Sequence, residues 1–283
     1  MAGIVLVTND SAHGQRVLHT VWQRGVRLDA VLYIVGSLGV PDLRGRSLGN
    51  RIVRWPKAAA ITVKRAIAFH RHRRVLYAAR CQRVIPTGAM NGRRLVRDLR
   101  ALAPDWIILG GGGLLRDEMI GTARLGVLNA HPALLPWIRG SGVTGASLDH
   151  GVAIGATLHR VDRGIDTGAV LDRRIVAVGP DDRDLAALEA ASYRLAAEMM
   201  ADAVETLVRH GTLPAGMTQT TRYPLFRWPD DEGMRRHHAL AAAGRAFELD
   251  RAWRPLCRDT ARGVLPTAPL DAPPVMTLAP VQR

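Results

Sequence analysis

The 283-residue chain is 47% hydrophobic and 23% charged, a globular balance that excludes wholesale disorder and allows one large domain or two small ones. Its 39 Lys+Arg outweigh 25 Asp+Glu for a formal net charge of +14, which invites an anionic partner such as nucleic acid or a membrane surface. Only Lys57 and Lys64 are lysines, leaving 37 arginines, so the charge reads as compositional bias as much as selection for phosphate binding.

In chain order, residues 4–8 form a short apolar run of buried-strand type, and 17–23 read as the helix after it. The run stops at Asn9 and has no basic leader, so a strand is expected rather than a signal peptide. Residues 30–35 are a second strand, 84–85 a short third, and 91–102 a basic helix. An apolar stretch at 106–109 leads into four glycines, 110–113, and 126–130 is a further strand. This alternation predicts an α/β protein with a doubly wound, mostly parallel, Rossmann-like sheet. The strands at 153–161 and 169–178 are separated only by a turn, so that edge of the sheet is expected to be antiparallel or mixed. Leu185, Leu188, Leu195, Met199, Ala203 and Leu207 recur at helical spacing and predict a long helix over 181–209, capped by Asp184 and ended by Gly211.

Residues 36–58 are loop-like and run into a segment, 51–80, rich in arginine. After Gly211 the chain holds a Thr-Arg-Tyr-Pro-Leu-Phe-Arg-Trp stretch at 221–228 and a helix near 232–243, and Pro and Ala dominate from Val264. The expected organisation is a catalytic domain at 1–211, a small C-terminal extension at 212–262 and a flexible tail at 263–283. Two cysteines, Cys81 and Cys257, exclude a disulfide framework and a four-sulfur zinc site. A reducing, cytoplasmic setting is expected, and no apolar run approaches the roughly 20 residues of a membrane span.

The chemistry-bearing pattern is Asn129-Ala-His131-Pro132. In a strand, residues two apart share a face, about 7 Å apart along the chain. Both sit at the strand's carboxyl end, where open α/β sheets place ligands. An amide beside an imidazole polarises a carbonyl and stabilises the oxyanion that forms on nucleophilic attack, and the imidazole also manages a proton. A carboxylate is needed to orient the ring. Asp166, in the glycine-flanked loop 161–168, is the best candidate; Asp162 competes, but its neighbours read as a turn. The four glycines do not follow the Gly-x-Gly-x-x-Gly dinucleotide pattern.

Three stretches carry a resemblance: Gly126-Val-Leu-Asn-Ala-His-Pro-Ala-Leu-Leu-Pro136, then Arg139-Gly140, then Gly155-Ala-Thr-Leu-His-Arg-Val-Asp-Arg-Gly-Ile-Asp-Thr-Gly168. Together they resemble the formyltransferases that use 10-formyltetrahydrofolate. The resemblance covers roughly residues 1–210 and is strongest over 105–178. It implies the formyltransferase fold, Asn129, His131 and Asp166 as the catalytic triad, 10-formyltetrahydrofolate as co-substrate and no metal. It also implies a pterin pocket built from backbone of two loops, here represented by Gly112, Gly113 and Leu115 and by Val161, Asp162 and Ile165.

The family's formyl acceptors range from glycinamide ribonucleotide through initiator methionyl-tRNA to amino-sugar nucleotides and specialised-metabolite amines. Here Thr8-Asn-Asp-Ser-Ala-His-Gly14 stands where the resemblance would put a Gly-Asn-Gly-Ser-Asn phosphate loop, and Asp10 disfavours a phosphate there. The family's formyltetrahydrofolate hydrolase carries an extra N-terminal domain, which is not expected here because the first strand begins near Gly3. The basic 51–80 segment suits a tRNA partner or a substrate diphosphate, or is a solvated helix face. The 70 residues after Gly211 are short for the barrel of the tRNA-formylating enzymes. By elimination the expected acceptor is a small primary amine, on an amino-sugar nucleotide or in a specialised pathway. The alternatives are a methionyl-tRNA formyltransferase-like enzyme with tRNA as partner or a glycinamide-ribonucleotide formyltransferase, and no membrane partner is expected.

Overall fold

A computed structural model describes residues 3–9, 11–35, 67, 77–111, 113–220 and 222–266. The expected loop at 36–58 and most of the basic 51–80 segment therefore lie outside the described residues. So do Asp10, Gly112, Thr221 and all but the first four residues of the expected tail. The chain divides into two compact units, Met1–Leu128 with Val204–Gly211 and Asn129–Ala203 with Thr212–Arg283.

The first unit is built on parallel strands. β1 (Ile4–Thr8) pairs in parallel with β2 (Leu28–Ile34) and with β4 (Trp106–Gly110). β2 pairs in parallel with β3 (Cys81–Thr87), and β4 with β5 (Gly126–His131). Every residue of β1 and β4 is buried, which is why both read as unbroken apolar runs rather than alternating ones. α1 (Ala12–Gln23) starts at Ser11, whose hydroxyl accepts from Gly14 N–H at 3.1 Å. α2 (Arg93–Leu102) buries only Leu95, Val96 and Leu99 and turns its arginines outward. It ends at Ala103 in the left-handed region, just before Pro104. A one-turn helix, α3 (Asp117–Ile120), leads into β5.

In the second unit, β5 runs out at His131. A two-residue strand, β6 (Arg139–Gly140), and α4 (Val143–His150) follow. β7 (Gly155–Arg160) and β8 (Val170–Ile175) pair antiparallel, with an irregularity between Leu158 and His159. The long α5 (Leu185–His210) opens with Asp184 Oδ2 accepting from Ala187 N–H at 2.9 Å and closes at Gly211. Strand order across the main sheet is β3-β2-β1-β4-β5-β7-β8. β6 pairs separately, in parallel, with β9 (Leu225–Phe226).

Trp253, Cys257 and Leu265 join the core of the second unit beside Leu134 and Trp137, and Ala241, Ala246 and Leu249 join it beside Leu148 and Leu188. α6 (Asp231–Ala242) is fastened to α4: Asp149 takes a two-pronged bond from Arg236 and a 2.8 Å bond from His237. Burial works against ionising Asp149, but those hydrogen bonds outweigh it and pull its carboxyl below the usual range. α7 (Arg245–Trp253) delivers Trp253 edge-on to Trp137, ring centroids 5.1 Å apart. The buried Arg173 lies 5.0 Å over Trp137 and donates to the carbonyls of Leu135 and Pro266. Its burial lowers the guanidinium to about 10. No helix among the described residues is long and apolar enough to cross a membrane.

Candidate active site

β5 carries Asn129 and His131 on one face, as the spacing of two requires. Asn129 is half-buried and His131 almost wholly buried. A third polar side chain, His159 of β7, meets them: its Nε2 lies 3.1 Å from Asn129 Nδ2. Asp166 sits on the loop between β7 and β8, with Oδ2 at 3.6 Å from His131 Nδ1 and Oδ1 at 3.8 Å from His159 Nε2. Its Oδ2 also accepts the Gly140 N–H at 2.9 Å. The structure thus brings Asn129, His131 and Asp166 together and adds His159, which the sequence did not single out.

The main chain orients both imidazoles. His131 Nε2 lies 3.0 Å from the Ile138 carbonyl, an acceptor, so that nitrogen carries a proton, and Nδ1 faces Asp166. His159 Nδ1 lies 2.8 Å from the Arg160 carbonyl, so Nδ1 is the protonated nitrogen and Nε2 accepts from the Asn129 amide. One amide proton of Asn129 is spent on His159, and the second is left to donate elsewhere. Burial drives His159 down to about 4, although Asp166 pulls the other way, so its ring is neutral at pH 7.

Gly140 earns its place by geometry. Its φ is +101, and a Cβ there would lie 2.2 Å from the Phe226 carbonyl oxygen, so only glycine lets β6 approach β9 while its N–H faces Asp166. Asp166 itself stands in the left-handed region, φ 55, where a non-glycine residue is tolerated best as Asp or Asn.

Asp162 makes its hydrogen bonds within its own loop. It is exposed, and its Oδ1 accepts from Gly164 N–H at 3.0 Å and Thr167 hydroxyl at 2.6 Å, stapling the loop that presents Asp166. Val161 is half-buried and Ile165 exposed on the same loop. In the first unit, Leu115 is buried and Gly113 exposed. No group of three or more His, Cys, Asp or Glu among the described residues is placed to hold a metal ion.

Comparison with known proteins gives the following. The family model described as formyl transferase matches residues 4–204. A methionyl-tRNA formyltransferase from a Cyanothece strain is 34% identical over 174 residues, 59% of this chain and 49% of its own length. One from Burkholderia orbicola is 36% identical over 119 residues, 41% of this chain and 36% of its own. The chain therefore spans half or less of the length of these curated relatives. Among solved structures, a 4-N formyltransferase from Francisella tularensis superposes with a TM-score of 0.55 at 14% identity, covering 86% of this chain and 87% of that one. An N-formyltransferase from Helicobacter canadensis, solved with folinic acid and dTDP-3-aminofucose, gives 0.53 at 13% identity, covering 86% and 81%. At these identities the structural likeness establishes the fold.

Proposed function

The chain belongs to the formyl transferase family, and from that premise we propose that it moves a formyl group from 10-formyltetrahydrofolate to the primary amine of a small acceptor, an amino-sugar nucleotide or a specialised-metabolite amine. The observation that carries the reading is the grouping of Asn129, His131 and Asp166, with one amide proton of Asn129 left for a substrate.

Attack of an amine on a formyl carbon puts negative charge on the formyl oxygen and a surplus proton on the nitrogen. Asn129 answers the first, donating its second amide proton to the oxygen. His159 holds the amide in register by accepting the other proton; being neutral, it adds no charge of its own. A donor of this kind contributes about 3 to 4 kcal/mol of barrier lowering. His131 answers the second: with Nε2 turned to Ile138, Nδ1 is the nitrogen that takes the amine's proton. The imidazolium so formed lies beside the Asp166 carboxylate, which Gly140 keeps aimed at it, and gives its proton to the folate N10 as the bond between N10 and the formyl carbon breaks, leaving tetrahydrofolate and the formylated amine. Val161, Asp162 and Ile165, on the loop that carries Asp166, are proposed to offer backbone groups to the pterin.

The test is release of tetrahydrofolate by purified protein given the formyl donor and a panel of amino-sugar nucleotides and small amines. Turnover with one of them supports the reading; none with any amine, while tRNA is formylated, replaces it by the second reading. That second reading, an initiator-tRNA acceptor, is favoured by the 34% identity to a methionyl-tRNA formyltransferase. It predicts tRNA binding that weakens steeply with salt and with neutralisation of arginines in 65–80.

A further inference from the structure

The carboxylate of the proposed triad is gripped by a stretch of chain that lies outside the family-matched span. After α5 the chain returns along β8: Val170 and Met217 exchange both main-chain hydrogen bonds at 2.8 Å. Two residues on, Gln219 is only 8% exposed. Its amide nitrogen donates to the main-chain carbonyls of Asp166, at 3.0 Å, and Gly168, at 2.6 Å. Both protons of that amide are therefore spent on the loop that presents Asp166, on either side of Thr167.

The same stretch then reaches the carboxylate itself. Leu225 and Phe226 pair with Arg139 and Gly140, the Phe226 carbonyl accepts from Ser141 N–H at 3.2 Å, and Gly140 N–H holds Asp166 Oδ2. Asp166 is thus held twice from 217–226, by its backbone through Gln219 and by its carboxylate through Gly140. A left-handed aspartate costs about 1 kcal/mol relative to ordinary backbone, so this loop needs an external restraint to keep that conformation populated.

Packing alone does not account for a glutamine here. Its Oε1 is buried and finds no partner among the described residues, a penalty of about 1–3 kcal/mol that an apolar side chain of the same length avoids. The geometry points to Gln219 as a positioning residue for Asp166, so that Gln219 and β9 are working parts of the active site and not an appendage to it.

This inference rests on the formyl-transfer reading for its kinetic consequence, and its structural half is read separately. Gln219→Met keeps length and loses both donors; Gln219→Glu keeps shape and sets a carboxylate against two carbonyl oxygens. With thermal midpoints near wild type, kcat is expected to fall about 10- to 100-fold in Gln219→Met and further in Gln219→Glu, with KM for the formyl donor unchanged. By NMR, the Gly140 amide proton is expected far downfield in the wild-type protein, as a charge-assisted bond requires, and to move upfield in both variants. Wild-type kcat in Gln219→Met together with an unmoved Gly140 resonance overturns the proposal. So does a wild-type Gly140 resonance at an ordinary amide position, which decides the matter even if neither variant folds. If the wild-type protein transfers formyl to no acceptor, yet the Gly140 resonance moves as expected, the functional reading fails and the positioning role stands.

Discussion

The two units bury different kinds of residue. Among the described residues of the first, the buried polar side chains are Thr8, His13, Thr87 and Thr122, and the buried positions of β1, β2 and β4 are otherwise Val, Leu, Ile, Ala, Gly and aromatic. The second buries His131, Arg139, His159, Arg173, Gln219, His237 and Asp250. A parallel sheet with apolar side chains on both faces needs little specific pairing to be stable, and it tolerates conservative exchange. Each of these buried ionisable groups, by contrast, is answered by a carbonyl, a carboxylate, a guanidinium or an aromatic ring. The first unit is scaffold by composition; the second places its chemistry among partners that each have one workable arrangement.

The sharpest way to break that contrast is to remove chemistry without touching stability. Asn129→Ala and His131→Ala are each expected to lower kcat by about 100-fold or more. Their thermal midpoints should stay close to wild type, as read by tetrahydrofolate release beside calorimetry. Next comes a charge that serves the fold alone. Arg173→Leu leaves the Leu135 and Pro266 carbonyls without their donor, and a loss of about 3 kcal/mol in a urea titration is expected. The matched exchange in the first unit, Ile108→Val in fully buried β4, should cost about 1 kcal/mol in the same titration.

A pH series separates the units more gently. The unfolded chain protonates His159 near its ordinary 6.5, the folded chain only near 4. Between those values the unfolded state binds more protons, so stability is lost as pH falls from about 6.5 toward 4. His159→Gln keeps an acceptor for Asn129 and does not titrate. The stability difference between wild type and variant should therefore shift against the wild type across that window in urea titrations. The smallest effect is a null one. Burial raises Cys81 to about 11 and Cys257 in the same direction, so iodoacetamide at pH 7.5 should label neither thiol in the native protein, as mass spectrometry would show.

How far the sequence foretold this structure depends on the same contrast. β1, β4 and the long α5 were legible because buried parallel strands and an amphipathic helix write their period plainly. β3 was visible only as 84–85, because Gln82 and Arg83 on this edge strand face solvent. α1 begins five residues earlier than its apolar period suggests. Gly14 falls inside it, where a Cβ would meet Thr8 Oγ1 at 2.1 Å and the Gly110 carbonyl at 2.3 Å, so close approach overrides helix propensity. α7 was missed altogether. Its buried positions Ala246, Leu249, Asp250 and Trp253 have helical spacing, but Asp250, paired with Arg254, reads as a surface charge. Asn129, His131 and Asp166 were picked out from spacing and motif. His159 and Gln219 carry no local sign of their role: one is a lone histidine in an apolar strand, the other a polar residue in an irregular segment. Only tertiary contacts, with Asn129 and with the Asp166 loop, give them meaning.

The left-handed backbone at Asp166 also decides which dead form of the protein can be made. Alanine or glutamate at that position must either bear the strain of φ 55 or let the loop relax, and so would confound lost chemistry with lost shape. Asparagine shares aspartate's tolerance of this region and keeps an oxygen for the Gly140 N–H. On the proposed mechanism, Asp166→Asn is therefore the variant expected to lose the anion with the main chain unchanged, so that formyl donor and amine acceptor would bind side by side without transfer.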